Sequence, residues 1–133
     1  MPQRFLLLPI ALLGVSACTP MTSSTARLGG QWRTSPLPSG SGIDLSLVTS
    51  GTTVTGTGHQ YVLQYLTNTF TIVGNLDPDR SAFRLTLTSD TGAVVTYTAH
   101  IVGADELQGE WAPLGCRTTF CQSESITFLR ATQ

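Results

Sequence analysis

From Leu28 to the end of the chain, apolar and polar residues alternate with a period of two. Residues 43–47, 83–87 and 95–101 show the pattern most plainly, and threonine is frequent at the polar positions. Strict alternation gives a β-strand one apolar and one polar face, whereas an amphipathic helix repeats about every 3.6 residues. The pattern therefore predicts eight strands, over residues 29–35, 42–49, 52–62, 68–76, 82–89, 94–102, 106–113 and 124–131.

Short polar segments that contain glycine, aspartate or proline separate many of the predicted strands. Examples are Ser50-Gly51, Asp77–Arg80, Asp90–Gly92 and Gly103–Asp105, and such segments favour tight turns between antiparallel neighbours. A meander of strands leaves two unpaired edges unless it closes on itself. We therefore predict an all-β fold, an eight-stranded antiparallel up-and-down meander barrel, as one domain over residues 28–133.

The first 17 residues have the features of a cleaved export signal. Arg4 precedes the apolar stretch Phe5–Val15, which is too short to span about 30 Å of hydrocarbon as a permanent anchor. Residues 15–18, Val-Ser-Ala-Cys, resemble the lipobox of bacterial lipoproteins. The resemblance implies a signal peptide over residues 1–17, cleavage before Cys18 and lipidation of that cysteine. An ordinary secretory signal that happens to precede a cysteine is the alternative.

The lipobox resemblance also implies a location. In that family an aspartate after the lipidated cysteine marks retention in the inner membrane, whereas this chain has Thr19 at that position. We expect an exported protein that is lipid-anchored to the cell envelope through Cys18, at the outer membrane if the organism has one. Residues 18–27 are rich in serine and threonine and are expected to form a flexible linker between the anchor and the barrel.

Three residues at one end of the predicted barrel carry a second resemblance. Gly30 and Trp32 form a Gly-x-Trp motif in the first strand, and Arg130 lies at the end of the last strand. This arrangement is similar to the calycin superfamily of lipocalins and avidins. The resemblance implies that Trp32 closes the barrel floor and that Arg130 packs across its ring, a cation–π contact of about 0.5–2 kcal/mol. With only Trp32 and Trp111 in the chain, a biotin site of the avidin kind is not expected.

Composition and charge exclude several classes of function. Charged residues make up 11% of the 133 residues and the net charge is −1, so no positive field is available to attract a nucleic acid. All seven basic residues are arginine, which excludes Schiff-base chemistry and a P-loop lysine. We expect no nucleic-acid partner and no cofactor.

Two cysteines remain once Cys18 is assigned to the lipid anchor. Cys116 and Cys121 lie in the connection between the last two predicted strands, and export to an oxidising compartment predicts that they form a disulfide. A metal site is the alternative, but a Cys-x4-Cys pair without a second pair of ligands nearby is a poor zinc signature. We expect no metal.

The sequence contains no recognisable catalytic motif. Neither a Gly-x-Ser-x-Gly nor a His-Glu-x-x-His is present. His59 and His100 lie in different predicted strands, and Asp105, Glu106 and Glu110 are typical of an acidic turn and an outward strand face. We therefore predict a protein that is not an enzyme and has no catalytic residue.

Two classes of function fit these features, and they use different surfaces. As a binding module, the protein holds a small hydrophobic ligand inside the barrel, where large apolar residues alternate with glycines; the alternative is a solid core. As an interaction protein, it contacts an envelope protein through the loop Gly115–Cys121, with Arg117 and Phe120 as the contact residues. Small lipidated barrels that inhibit periplasmic proteases or lysozymes bear a distant resemblance and belong to the second class.

Overall fold

The computed structural model describes residues 27–34, 42–115 and 123–131. Eight strands account for most of them. They are β1 (Gly30–Thr34), β2 (Gly42–Ser50), β3 (Thr53–Val62), β4 (Tyr65–Asp77), β5 (Ala82–Ser89), β6 (Val94–Val102), β7 (Glu106–Pro113) and β8 (Glu124–Arg130). Their bounds agree with the predicted ones to within three residues.

The strands form a closed barrel in which each pairs with its neighbours in chain order. All eight pairings are antiparallel, and β1 closes the barrel by pairing with β8, with Trp32 opposite Arg130. Closure gives every strand two neighbours and so removes the free edges of an open sheet. The predicted fold class is confirmed.

Three of the predicted turns contain a glycine and lie in the connections between strands, as expected. Gly51, Gly92 and Gly103 have positive φ angles of 60°, 89° and 60°, a conformation that glycine adopts without steric cost. The connection between β3 and β4 differs from the prediction. It contains only Leu63 and Gln64, so β4 begins three residues earlier than expected.

Aromatic side chains occupy the middle of the barrel. The ring of Tyr97 lies 5.2 Å from that of Phe128, 5.9 Å from Phe83 and 6.1 Å from Trp111, measured between centroids, and Phe70 lies 6.0 Å from Trp111. All five residues are buried. Edge-to-face contacts at these distances stabilise a core beyond the burial of apolar area alone.

The inward glycines mark close approaches between strands. A Cβ atom at Gly56 would lie 2.1 Å from the carbonyl oxygen of Ser46, and one at Gly109 would lie 2.2 Å from the Cβ of Ala99. Neighbouring strands therefore take the space that the missing side chains leave. No helix among the described residues has the length and hydropathy needed to cross a bilayer.

Candidate functional site

The two ends of the barrel differ in chemistry, and the chain enters at one of them. At the entry end, residues 27–29 lead into β1, β8 ends at Arg130, and residues 103–105 connect β6 to β7. At the far end lie the β3–β4 turn, the connection over residues 90–93, and the starts of β2 and β8. Because the strands run up and down, each functional feature can be assigned to one end.

Trp32 and Arg130 form the floor of the entry end. The Trp32 side chain is completely buried, and its indole N–H donates to the carbonyl oxygen of Leu28 at 2.9 Å. The guanidinium carbon of Arg130 lies 4.2 Å from the centroid of the Trp32 ring. This is the cation–π geometry that the calycin resemblance implied.

Arg130 also connects the end of β8 to two other backbone segments, residues 27–29 and the β6–β7 connection. Its guanidinium donates to the carbonyl oxygens of Arg27, Gly29 at 2.9 Å and Ala104 at 3.2 Å. The adjacent Gly30 has a φ of 124°, and a Cβ there would lie 2.7 Å from a guanidinium nitrogen of Arg130. Glycine is therefore required at this position by its backbone conformation and by the close approach of Arg130.

At the far end, the β3–β4 hairpin extends beyond the neighbouring strands β2 and β5. Pairing between β4 and β5 begins at Phe70, whereas β4 itself begins at Tyr65. Five residues at about 3.3 Å each project the hairpin about 16 Å past the last paired residue of β5. On the other side, β2 pairs with β3 only as far as Tyr61.

Residues Tyr61–Leu66, which we call the hairpin tip, are apolar on both faces. Tyr61 pairs with Leu66, and Val62 pairs with Tyr65. Tyr65 is 77% exposed, Leu63 60%, Leu66 55% and Val62 43%. Other exposed apolar residues are more dispersed, such as Val48 and Val73 on either side of Thr55. A contiguous exposed apolar patch is typical of an interaction surface.

Two backbone features determine the shape of the tip. A bulge inserts Thr67 between the pairs Gln60–Asn68 and Tyr61–Leu66, so that Leu66 shares a face with Tyr61. Leu63 and Gln64 have φ angles of 51° and 70°, values that a two-residue hairpin turn requires but that asparagine and glycine adopt more easily. Leu63 and Gln64 therefore hold a left-handed backbone conformation that is strained for both residues.

A cleft of about 390 Å³ lies beside the hairpin tip. Strand β1 ends at Thr34, while β2 and β8 continue past it towards the far end. We call this space the far-end cleft. Its lining includes Thr34, Ile43, Gln60, Val62, Glu124 and Ile126.

The described charges at the far end are mainly carboxylates. Asp44 is paired with Arg33, with 3.3 Å between Oδ1 and Nε. Beyond that pair, the charged residues that the structure describes at this end are Asp90 and Glu124, and neither has an ion-pair partner among the described residues. The far end therefore combines exposed apolar side chains with negative charge.

Several predicted site residues lie outside the described part of the chain. These are the lipidation site Cys18, the cysteines Cys116 and Cys121, and the proposed contact residues Arg117 and Phe120. The described residues Pro113 and Glu124, between which this loop runs, are both at the far end. The loop therefore starts and finishes at the same end of the barrel as the hairpin tip.

The candidate polar residues are not brought into one cluster. His59 lies opposite Asp44 and Thr69 in the middle of the sheet, whereas His100 lies opposite Ala82 and Gln108, three strands away. Asp105 contacts Arg130, with 3.4 Å between Oδ1 and Nε. Within the described ranges, no group of three or more histidine, cysteine, aspartate or glutamate residues is arranged to hold a metal ion.

Sequence reasoning missed the hairpin tip and the far-end cleft. The signal for the tip is the run Tyr61–Leu66, in which one glutamine interrupts five apolar residues. The run contains no glycine, asparagine or proline, so the turn leaves no compositional mark. The cleft depends on where β1 ends relative to β8, which involves residues about ninety positions apart and leaves no local signal.

Comparison with known proteins gives no relative for this chain. No family model matches it, and searches among curated proteins and among solved structures found no match. The resemblance to calycins therefore depends on the eight-stranded barrel and on the contact between Trp32 and Arg130.

Proposed function

We propose that this protein is a calycin-like envelope lipoprotein that is anchored to a membrane through Cys18. It acts without catalysis as an interaction protein, and it binds an envelope protein with the far end of its barrel. The observation that carries the proposal is the exposed apolar hairpin tip, Tyr61–Leu66. Exposing it to water is unfavourable, and burial against a partner removes that cost.

The position of the tip relative to the anchor supports the proposal. A lipid on Cys18 joins the barrel through the linker 18–27, which meets β1 at the entry end. The tip lies at the opposite end, so a tethered barrel presents it away from its own membrane. Asp90 and Glu124 at the same end favour a protein over a second membrane, because anionic lipid surfaces repel carboxylates.

The interior of the barrel gives less support to binding of a small hydrophobic ligand there. Where such a ligand would lie, the Tyr97 ring contacts those of Phe128, Phe83 and Trp111. The closely packed strands fill the space beside the inward glycines. Inhibition of a periplasmic protease or lysozyme is one form that the proposed interaction can take. The identity of the captured partner would show whether the interaction has this form.

Site-specific photo-crosslinking in intact cells tests the proposal. A photoreactive phenylalanine analogue replaces Tyr65 in the full chain, and the matched control carries it at Arg80, in the connection between β4 and β5 at the entry end. We expect a discrete protein adduct from position 65 and none from position 80. Equal adducts at both positions, adducts with lipid, or none at position 65 would contradict a far-end protein partner.

The membrane anchor needs a separate test. We expect Cys18→Ser to release the protein from the membrane fraction, because residues 5–15 are too short to retain it as a spanning helix. A variant that still sediments with membranes after a high-salt wash would contradict lipidation at Cys18. That outcome would leave the far-end interaction unaffected, because crosslinking at position 65 reports on it independently.

A further inference from the structure

We infer that the far-end cleft binds a basic side chain, a lysine or arginine with its apolar stem, that the partner presents. The inference rests on the proposed function, because it assigns the chemistry of the partner at the far end. It concerns a site that adjoins the apolar hairpin tip. The cleft and the tip share Tyr61 and Val62, so one partner can occupy both.

The cleft lies where the described strands of the barrel have unequal lengths. The last pairs that β1 makes at this end are Thr34 with Phe128 and Arg33 with Asp44. Strand β8 continues from Phe128 to Glu124 at its start, and β2 continues to Gly42. The cleft is therefore built on two strands whose positions are fixed by the rest of the barrel, which lowers the cost of ordering it when a ligand binds.

The base of the cleft is apolar. Ile43 is buried in the barrel core, and Ile126 packs against that core while remaining partly exposed. The carbonyl oxygen of Ile126 accepts a hydrogen bond from the buried Tyr97 hydroxyl at 2.9 Å, which holds this part of β8 in place. An apolar stem of three or four carbons can lie against such a surface.

The rim of the cleft carries a carboxylate. Glu124 lines the cleft, and no described residue forms an ion pair with it. Across the cleft, the side-chain oxygen of Gln60 is held by the Asn68 amide at 2.9 Å and can accept a second hydrogen bond. A charged head with several N–H donors complements these two acceptors.

The volume of the cleft limits what it can hold. About 390 Å³ is near the lower limit of ligand sites, which are typically about 300–1,000 Å³. A single long side chain suits this space better than a large cofactor does. The negative charge at the rim excludes an acidic side chain, and the polar rim disfavours a wholly apolar one.

Methyl NMR on the full chain in zwitterionic detergent tests the inference, with Ile43 and Ile126 as reporters. The probes are the capped tripeptide acetyl-Ala-Lys-Ala-amide and its norleucine and glutamate counterparts. We expect the lysine peptide to shift both methyl signals with a dissociation constant on the order of 1 mM, and the two counterparts to bind at least about fivefold more weakly, a difference of about 1 kcal/mol.

Matched variants identify the carboxylate that is responsible. We expect Glu124→Gln, which keeps the shape and removes the charge, to weaken binding of the lysine peptide about fivefold. Asp90→Asn removes the other far-end carboxylate that forms no ion pair with a described residue, and should change binding less than twofold. Equal binding of the norleucine peptide, no effect of Glu124→Gln, or shifts confined to other methyl groups would overturn the inference.

Two further arms separate the possible sources of the cation. Butylammonium that binds as tightly as the lysine peptide would indicate a free amine and overturn the assignment to a partner side chain. Binding that appears only in Arg117→Ala would indicate that the chain's own arginine occupies the cleft, and would also overturn it. A crosslink from position 65 together with no binding in the cleft would leave the proposed function intact and reject only this inference.

Discussion

Aromatic and charged side chains have opposite environments at the entry end and at the far end of the barrel. At the entry end, Trp32 is fully buried, its N–H is bonded, and Arg130 donates to three backbone carbonyl oxygens. At the far end, Tyr65 and Leu63 are mostly exposed, and Glu124 has no described ion-pair partner. The difference indicates that the entry end stabilises the fold, and it supports the proposal that the far end binds a partner.

The largest expected effect is on the floor of the barrel. Trp32→Ala should lower the free energy of unfolding by about 3–5 kcal/mol, because it opens a cavity under Arg130 and removes the cation–π contact. The matched control is Tyr65→Ala, which truncates an exposed aromatic residue at the far end and should change stability by less than about 0.5 kcal/mol. Both are measured by urea denaturation of the full chain.

The two variants together decide the comparison between the ends. If Tyr65→Ala destabilises the barrel as much as Trp32→Ala does, the hairpin tip belongs to the core and is not a free surface. If Trp32→Ala has little effect, the floor does not carry the stability assigned to it.

The second effect isolates the contribution of Arg130. Arg130→Met keeps an apolar stem over Trp32 but removes the hydrogen bonds to Arg27, Gly29 and Ala104, and should cost about 1–3 kcal/mol. Arg84→Met changes an exposed arginine on β5 and is expected to be nearly neutral. Limited proteolysis should also cut Arg130→Met sooner near residues 27–29, since these residues lose their connection to β8. Equal stability of the two variants would contradict a structural role for Arg130.

How far the sequence predicts this molecule also differs between the ends. The alternation that includes Leu85 and Leu87 predicts the strands, because the side chains of a strand that face the barrel interior are mainly apolar and lie at every second position. Gly30, Trp32 and Arg130 could be connected only because a known family has the same arrangement. The turn of the hairpin tip could not be predicted, since Leu63 and Gln64 are poor turn formers whose conformation is imposed by the pairing of β3 with β4.

The third effect is a dependence of stability on alkaline pH that originates in the core. Burial raises the pKa of the Tyr97 phenol, so the folded protein keeps this proton at a pH where the unfolded chain has lost it. The stabilisation is fully present below about pH 10, the ordinary value for tyrosine, and is lost as the pH rises above it. The loss should approach about 1.4 kcal/mol per pH unit.

Tyr97→Phe is the variant that tests this effect. At neutral pH it should cost about 1 kcal/mol through loss of the hydrogen bond to the Ile126 carbonyl. Between pH 10 and 11 it should lose less stability than the unaltered protein, by about 1 kcal/mol, because an unfolded tyrosine is only half ionised at pH 10. Tyr65→Phe removes the hydroxyl of an exposed tyrosine and serves as the matched control. Identical alkaline profiles for the unaltered protein and Tyr97→Phe would show that Tyr97 is not the group responsible.

The smallest expected effect on stability has the opposite sign and concerns the turn of the hairpin tip. Replacing Leu63-Gln64 by Asn-Gly supplies the residues that a turn with two positive φ angles prefers, and should raise the free energy of unfolding by about 0.5–1 kcal/mol. If Leu63 contacts the partner, the same replacement should reduce crosslinking from position 65. Gln64→Gly alone relieves part of the strain but keeps the leucine, and should leave crosslinking unchanged. A more stable barrel that still captures its partner fully would mean that the leucine at this turn has no role in binding, whereas a less stable barrel would mean that the turn is not strained.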